Sequence, residues 1–308
     1  MEIVTRTEKP RARRRKWALV GVISLTLVVM IVQLIPVKKV KDNPFIRTEE
    51  SPLIIAHRGG AGIAPENTIS AFELSEKLGV DILEFDVRLS KDGEVVVFHD
   101  ERVDRTTNGK GRISEYTLKE LQSFDAGYDF VGSEGDFPFR GKGVNIPSIA
   151  DVLNQFGHMP MVIELKENDE LLADQVSEML NRFNLKDNVL IVSFYDEISN
   201  YFYEKNNGEI GMSTPSNISR NFILLHKFFL GNLYPLKEKA LQLPTQSGVL
   251  DLTTKRLIAD AHERNIAVHY WTINDIEMMK YVFEQGADGI MTDYPNKALH
   301  LLQQKGEN

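Results

Sequence analysis

The chain has 308 residues, 42% of them hydrophobic and 26% charged, which is the composition of a globular protein and excludes a disordered one. Its net charge of −8 does not favour binding to polyanions such as nucleic acids. The absence of cysteine excludes disulfides, thiolate nucleophiles, thiolate metal sites and lipid-modified cysteine anchors. The length allows one large barrel domain or two ordinary domains.

An uncharged run of 21 residues, 17–37, is long enough to cross a hydrocarbon core of roughly 30 Å as a helix. A cleaved signal peptide is the alternative, but residues 33–39 make a poor cleavage site. Seven basic residues precede the run and four follow it within 38–47, which predicts a cytoplasmic amino terminus and an extracytoplasmic globular part. We therefore expect a basic cytoplasmic tail (1–16), a transmembrane signal anchor (17–37), a polar tether (38–51) and a globular domain (52–305).

From residue 53 onwards, short β-rich runs alternate with helical patterns. The predicted strands are 53–56, 82–87, 95–98, 161–165, 189–193, 209–212, 267–271 and 289–292. The predicted helices are 67–78, 117–124, 148–156, 169–183, 196–206, 253–264, 275–285 and 296–303. This alternation over about 250 residues predicts an α/β fold, a closed (β/α)8 barrel with a parallel sheet. An open doubly wound sheet is the alternative, but it would favour a glycine-rich dinucleotide motif, which is absent.

Two regions interrupt the alternation. Residues 100–147 form a long, glycine-containing segment at the end of the third predicted strand, and we expect it to lie over the active face of the barrel. Residues 217–244 are rich in large apolar side chains. We interpret them as a helix packed on the barrel, with a surface patch that touches membrane lipid as the alternative.

Three acidic residues lie on two predicted strands. Glu84 and Asp86 are two positions apart, so their side chains leave the same face of one strand. Buried neighbouring carboxylates repel each other unless a cation compensates, and Glu164 offers a third ligand. Three carboxylates without cysteine suit Ca²⁺ or Mg²⁺ better than Zn²⁺. The alternative is that each acid is only a surface residue at a strand end.

Histidines and cationic side chains occupy similar positions. His57 and His99 each end an apolar run, so they are candidates for a general acid and a general base rather than structural histidines bonded to carbonyls. Arg58 and Lys166 are candidates for phosphate contacts. Trp271 either forms an apolar wall for an alcohol group or fills the barrel. Together these residues predict a site for a phosphate ester.

These residues belong to short motifs that together resemble the glycerophosphodiester phosphodiesterase family. The motifs are His57-Arg58-Gly59, Pro65-Glu66-Asn67-Thr68, Glu84-Phe85-Asp86-Val87, Asp92-Gly93, His99-Asp100, Ile146-Pro147, Glu164-Leu165-Lys166, Trp271-Thr272-Ile273-Asn274 and Asp288-Gly289-Ile290-Met291-Thr292-Asp293-Tyr294-Pro295. Each motif is short, but the ordered set spans the globular part and is highly specific. The amino-terminal anchor and residues 217–244 lie outside the resemblance.

The resemblance implies a TIM barrel that hydrolyses glycerophosphodiesters to an alcohol and glycerol 3-phosphate with one divalent metal ion, Ca²⁺ or Mg²⁺. It implies the following site residues: metal ligands Glu84, Asp86 and Glu164; acid–base pair His57 and His99; phosphate contacts Arg58 and Lys166; glycerol pocket Trp271; and Glu66 near the substrate. The membrane is an expected partner through the amino-terminal helix. Alternatives are a lysophospholipase D or glycerophosphate-polymer hydrolase at the membrane surface, and an inactive surface-binding barrel. The leaving alcohol, the order of the two histidines and the oligomeric state stay open.

Overall fold

The computed structural model of the chain describes residues 9–47 and 51–306. Residues 1–8 of the predicted basic tail and residues 48–50 of the predicted tether lie outside them. The strands are β1 (Leu53–Ala56), β2 (Ile82–Leu89), β3 (Val95–Val97), β4 (Met161–Leu165), β5 (Val189–Val192), β6 (Gly211–Met212), β7 (Ala240–Leu243), β8 (Gln246–Ser247), β9 (Leu250–Asp251), β10 (Ala267–Tyr270) and β11 (Gly289–Thr292). The helices are α1 (Lys9–Gln33), α2 (Ile69–Leu78), α3 (Leu118–Leu121), α4 (Ile149–Phe156), α5 (Glu170–Arg182), α6 (Asp196–Lys205), α7 (Ser216–Lys227), α8 (Lys255–His262), α9 (Ile276–Gln285) and α10 (Pro295–Gly306).

Eight strands form a parallel barrel in the order β6-β5-β4-β2-β1-β11-β10-β7. A parallel bridge between Ser213 and Ala240 joins the two ends of this order. There the Thr214 N–H donates to the Ala240 carbonyl at 2.8 Å. Apolar side chains from the strands and the surrounding helices are buried in one large core cluster. The predicted TIM barrel is therefore confirmed.

The predicted set of barrel strands is wrong in one place. β3, expected at 95–98 as a barrel strand, pairs antiparallel with β2 and lies off the barrel. Only residues 90–94 separate the two strands, and parallel neighbours need a connection of about a dozen residues or more. The vacant place is taken by β7, which lies in the region 217–244 that we interpreted as a helix. That helix prediction is confirmed for α7, which buries Phe222 in the core.

The helix α1 projects from the barrel with its apolar side chains exposed. Residues Arg14–Gln33 are long and apolar enough to cross a membrane, with a mean hydropathy of 1.9, and a signal sequence has the same features. Among residues 14–33 of α1, whose side chains the structure describes, only Val32 near the end of the helix is buried. The helix ends four residues before the predicted end of the run, at Gln33, and Pro36 follows.

Part of the predicted tether is packed against the barrel. The Val40 N–H donates to the Arg264 carbonyl at 2.8 Å, and Asn43 Nδ2 donates to the Lys239 carbonyl at 2.6 Å. Phe45 is fully buried in a cluster with the first residues of several strands. Lys239 immediately precedes β7 and Arg264 lies three residues before β10, so this segment closes the end of the barrel where the strands begin.

The segment from 98 to 148 lies over the opposite end of the barrel. It contains α3 and has its own small core, in which Phe98, Val103, Leu121 and Ile146 are buried. Its Arg105 reaches Glu66 in the loop after β1, with nitrogen–oxygen distances of 2.6 and 2.8 Å. The expected position of this segment, over the carboxyl ends of the strands, is therefore observed.

Candidate active site

Three carboxylates meet at the carboxyl ends of β2 and β4. Glu84 and Asp86 point into the barrel from β2, while the alternate residues of this strand pack in the surrounding core, and Glu164 comes from β4. One oxygen from each carboxylate lies within 4.8 Å of the others. Burial, followed by the charge of Asp86, raises the pKa of Glu84 to about 8. The cluster therefore concentrates more buried negative charge than its immediate environment stabilises.

The surroundings of these carboxylates fit a hard divalent cation. The Arg58 backbone N–H donates to Glu84 Oε2 at 2.7 Å, and Asn67 Nδ2 donates to Asp86 Oδ2 at 2.8 Å. Both carboxylates are therefore fixed in orientation. Their exclusively oxygen donors match the preference of Ca²⁺ and Mg²⁺. A cation held there would polarise a phosphoryl oxygen of the substrate. Sequence reasoning missed Asn67 as a site residue, although it lies in the Pro-Glu-Asn motif.

Lys166 adds a positive charge beside the same cluster. Its Nζ lies 2.7 Å from Glu164 Oε1 and 3.4 Å from Asp86 Oδ1. Burial would raise the pKa of Asp86, but the charges of Lys166 and Arg58 outweigh it and hold that pKa below its ordinary value. Asp86 therefore stays ionised although it is almost completely buried.

His57 follows β1 and is held by a carboxylate from the far end of the chain. Its Nδ1 lies 2.6 Å from Asp293 Oδ1, and Asn274 Nδ2 donates to Asp293 Oδ2 at 2.6 Å. Burial would lower the pKa of His57, but the hydrogen bond to Asp293 and the charge of Glu84 raise it above its ordinary value. Nε2 is the ring nitrogen left for substrate. Asp293 and Asn274 lie in the family motifs, but the sequence predicts no role for them because it does not show that they pair with His57.

His99 follows β3 and has a carboxylate partner next to it in the chain. Its Nδ1 lies 2.7 Å from Asp100 Oδ1, again leaving Nε2 for substrate. Burial lowers the pKa of His99 and outweighs the charge of Asp86 and the hydrogen bond to Asp100. Burial would raise the pKa of Asp100, but hydrogen bonds from Arg105 and His99 lower it to about 2. Asp100 is therefore a permanent anion behind His99.

Glu66 lies between two arginines rather than at the cavity. Arg58 Nη1 donates to Glu66 Oε1 at 2.9 Å, and Arg105 donates to both oxygens of Glu66. Burial would raise the pKa of Glu66, but Arg105 and Arg58 lower it below its ordinary value. Among the described residues, Arg58 Nε is buried without a hydrogen-bond partner. This Nε lies 3.6 Å from Asp86 Oδ2, so the Arg58 guanidinium spans from Glu66 to the carboxylate cluster.

A single cavity of about 710 Å³ joins most of the predicted site residues. Seven of the nine line it: His57, Arg58, Glu84, His99, Glu164, Lys166 and Trp271. Asp86 belongs to the carboxylate cluster but does not line the cavity, and Glu66 lines a smaller neighbouring cavity. The Trp271 ring packs edge-on against Phe194, with centroids 5.7 Å apart. The cavity is thus charged on one side and apolar on the other.

Relatives of the chain are named for the chemistry that this arrangement suggests. The sequence model of the glycerophosphoryl diester phosphodiesterase family matches residues 57–297. The chain is 30% identical to the glycerophosphodiester phosphodiesterase of Caldanaerobacter subterraneus over 260 residues, or 82% of this chain and 99% of the relative. It is 32% identical to human lysophospholipase D GDPD1 over 271 residues, or 80% of this chain and 85% of the relative.

The solved structures include a relative with a bound product. The Oleispira antarctica phosphodiesterase OLEI02445, in complex with the product sn-glycerol-3-phosphate, matches the chain with a TM-score of 0.64 and 28% identity. The match covers 82% of this chain and 97% of that one. The family match and these relatives agree with the resemblance seen in the motifs. The chain therefore belongs to the glycerophosphoryl diester phosphodiesterase family and is a phosphoric diester hydrolase.

Proposed function

We propose that the protein hydrolyses glycerophosphodiesters to an alcohol and glycerol 3-phosphate. The observation that carries this proposal is the convergence of three carboxylates, two histidine–aspartate pairs and two cationic side chains around one cavity. Such a set can bind a phosphate diester, neutralise the charge that develops on it and move protons on both sides of the phosphorus. The product complex of the Oleispira antarctica relative supports glycerol 3-phosphate as the product.

Each charged residue has a defined task in this proposal. Glu84, Asp86 and Glu164 hold one Ca²⁺ or Mg²⁺ ion. Arg58 and Lys166 contact the phosphate oxygens, and Arg58 is oriented for this by Glu66.

Proton transfer falls to the two histidines. One histidine accepts a proton from the attacking oxygen on its own Nε2. The other histidine donates a proton from its Nε2 to the oxygen of the leaving alcohol. In both rings Nδ1 faces an aspartate, which fixes the ring orientation. Trp271 packs against the glycerol part of the substrate.

The experiment is glycerol 3-phosphate release from glycerophosphocholine by the full chain in detergent. We expect release to stop after chelation, to return with Ca²⁺ or Mg²⁺, and to fall at least 100-fold in His57→Ala and Glu84→Gln. Glu134→Gln, a change in an exposed residue of the 98–148 segment, is the control and should leave the rate unchanged. A folded, metal-loaded protein that releases glycerol 3-phosphate from no glycerophosphodiester would refute the proposal.

Lysophospholipids are the second candidate substrate, favoured by the apolar side of the cavity. β6 has only two residues, and beyond this short strand the cavity reaches Ile223 and Leu224 on α7. Leu250 and Leu252 line it from the other side. An apolar wall of this kind suits an acyl chain on the leaving group. The human relative is named as a lysophospholipase D.

The two substrates can be separated with one substitution. Ile223→Ser should lower kcat/KM for lysophosphatidylcholine about 10-fold or more, because the wall loses apolar contact. It should change kcat/KM for glycerophosphocholine less than 2-fold, since that leaving group carries no acyl chain. Ile276→Ser, on the exposed face of α9, is the matched control. An equal loss on both substrates would argue against acyl binding at this wall.

We also propose that α1 is an uncleaved transmembrane anchor with its amino terminus in the cytoplasm. The length and hydropathy of Arg14–Gln33 support a span, and the excess of basic residues before it supports the orientation. Because the chain has no cysteine, Val249→Cys creates a unique thiol. A membrane-impermeant maleimide should label it in intact cells. Labelling only after lysis would reverse the topology, and a shortened mature chain would indicate cleavage.

A further inference from the structure

An exposed apolar patch lies directly beside the end of α1. It consists of Phe228, Phe229 and Leu233, which are 59%, 51% and 51% exposed. Gln33 Nε2 at the end of α1 donates to the Phe229 carbonyl at 2.6 Å. Asn232 Nδ2 lies 3.3 Å from the Gln33 carbonyl and 3.1 Å from the Ile35 carbonyl. These hydrogen bonds therefore hold the 228–233 patch next to the carboxyl-terminal end of α1.

The 228–233 patch lies on the face of the barrel where the strands begin. It connects the end of α7 to β7, so it is on the same face as the packed segment 40–45. The catalytic candidates lie at the carboxyl ends of the strands, on the other face. Most of the barrel strands have four or five residues, which places roughly 15 Å between the two faces. The anchor and the cavity are thus at opposite ends of the barrel.

Basic side chains lie near the patch, in the chain or in space. Lys38, Lys39 and Lys227 are exposed, and the Arg256 guanidinium lies 4.0 Å from the centre of the Phe229 ring. Phenylalanine and leucine side chains next to lysine and arginine are typical of surfaces that lie in the membrane–water boundary, where the basic groups meet anionic lipid headgroups. Glu263 is an exposed acid on this face, at the end of α8.

The connection between α1 and the barrel is short and fixed at both ends. Residues 34–39 separate the last helical residue from Val40, whose N–H is bonded to the barrel. The Gln33–Phe229 hydrogen bond fixes the other side. A bilayer crossed by α1 would therefore end at the 228–233 patch and not at the cavity.

We propose that the barrel rests on the lipid bilayer through the 228–233 patch and directs its active site towards water. This inference rests on the membrane anchor and the activity proposed above, and it restricts the way in which substrate arrives. The enzyme takes glycerophosphodiesters, or lysophospholipid monomers, from the aqueous phase and not from the bilayer on which it stands.

The experiment uses single cysteine variants of the full chain, which contains no native cysteine. Leu233→Cys places a thiol in the patch, and Val249→Cys places one in the β8–β9 hairpin, beyond the carboxyl end of β7. Each is labelled with a nitrobenzoxadiazole dye and reconstituted into vesicles of phosphatidylcholine and phosphatidylglycerol at a 3:1 ratio. Quenching by shallow doxyl-labelled lipid reports contact with the bilayer, and quenching by iodide reports contact with water.

We expect doxyl lipid to quench the label at position 233 at least 3-fold more strongly than the label at 249, and iodide to show the reverse order. Stronger doxyl quenching at 249 would overturn the proposal, because the active-site face would then meet the bilayer. Weak doxyl quenching at both positions would also overturn it. In that case protection of position 233 from iodide would indicate a protein partner or a second copy of the chain.

A substrate measurement tests the consequence separately. In one arm, lysophosphatidylcholine is supplied in vesicles that lack the enzyme, and the rate should follow the concentration of free lipid monomer. In the other arm, the lipid is placed in the vesicles that carry the enzyme, and the rate should stay within 2-fold of the first arm. A large advantage for lipid in the same vesicle would contradict delivery from water. The quenching result needs no turnover, so a failed activity and a failed orientation give different outcomes.

Discussion

Replacing Asp293 by asparagine should disable His57 through its tautomer without removing either side chain. Asp293 receives a hydrogen bond from Asn274 Nδ2 at 2.6 Å on one oxygen and faces His57 Nδ1 at 2.6 Å with the other. An asparagine must keep its carbonyl towards Asn274, because two facing amide groups would repel. Its NH₂ then points at His57, which forces Nδ1 to accept and places the ring proton on Nε2.

The magnitude follows from the task proposed for Nε2. A neutral imidazole with its proton on Nε2 cannot accept a proton there, and it is too weak an acid to protonate a leaving group. Acid–base catalysis by one positioned side chain contributes typically ~10²–10⁴-fold, so kcat should fall at least ~100-fold, or about 2.7 kcal/mol of barrier. KM should change little, because Asp293 acts through His57 and lies behind it.

The assay is steady-state release of glycerol 3-phosphate from glycerophosphocholine, with thermal unfolding as the test of folding. Glu76→Gln is the matched control, because it makes the same change in the exposed His158–Glu76 pair, where the two side chains are 2.6 Å apart. That variant should keep the wild-type kcat. A folded Asp293→Asn protein with kcat within 2-fold of wild type would refute the argument that this carboxylate sets the His57 tautomer.

Three further predictions follow from the described contacts. Glu84→Gln replaces a buried carboxyl group beside Asp86 whose raised pKa costs stability at neutral pH, so the Tm of the chelated protein should rise by about 2–4 °C, whereas Ca²⁺ should no longer raise it. An unchanged response to Ca²⁺ in differential scanning fluorimetry would exclude Glu84 as a ligand. Arg105→Gln removes the ion pair that holds Asp100 behind His99, so it should lower kcat about 10-fold. The Tm should change little, since the Arg105 side chain is 48% exposed. A wild-type kcat would show that His99 does not need Asp100 to be held in this way. Phe45→Ala empties a fully buried position, so it should lower the free energy of unfolding measured in urea by about 3–5 kcal/mol and leave kcat within 2-fold of wild type. A loss below 1 kcal/mol would show that segment 40–47 does not stabilise the barrel.

The candidate site was predictable where local sequence patterns determine geometry. Glu84 and Asp86 follow the two-residue period of a strand, so they had to share a face. Parallel strands bring their carboxyl ends to one side of the barrel, so residues at the ends of different strands converge. This reasoning places His57, Glu164 and Trp271 at one cavity, as the structure shows.

Pairings between distant parts of the chain were not predictable in this way. Asp293 is 236 positions from His57, and no local pattern records that the two touch. Arg105 lies in a long segment without periodicity, so its bridge between Glu66 and Asp100 appears only in three dimensions. Phe45 and Ile46 are two apolar residues in an otherwise polar stretch that contains Pro44, and this composition predicts a tether although the Phe45 ring is buried.

The misassigned strand β3 changes how the catalytic candidates are supported. Because β3 is the return strand of a hairpin from β2, His99 is connected to the strand that carries Glu84 and Asp86 and not to a separate barrel strand. The Phe98 N–H donates to the Asp86 carbonyl at 2.9 Å, and Arg88 Nε donates to the His99 carbonyl at 2.8 Å. A shift of β2 would therefore carry Glu84, Asp86 and His99 together and preserve their spacing. His57 comes from β1, which pairs with β2 directly, so both histidines and the carboxylates of β2 are built on two adjacent strands.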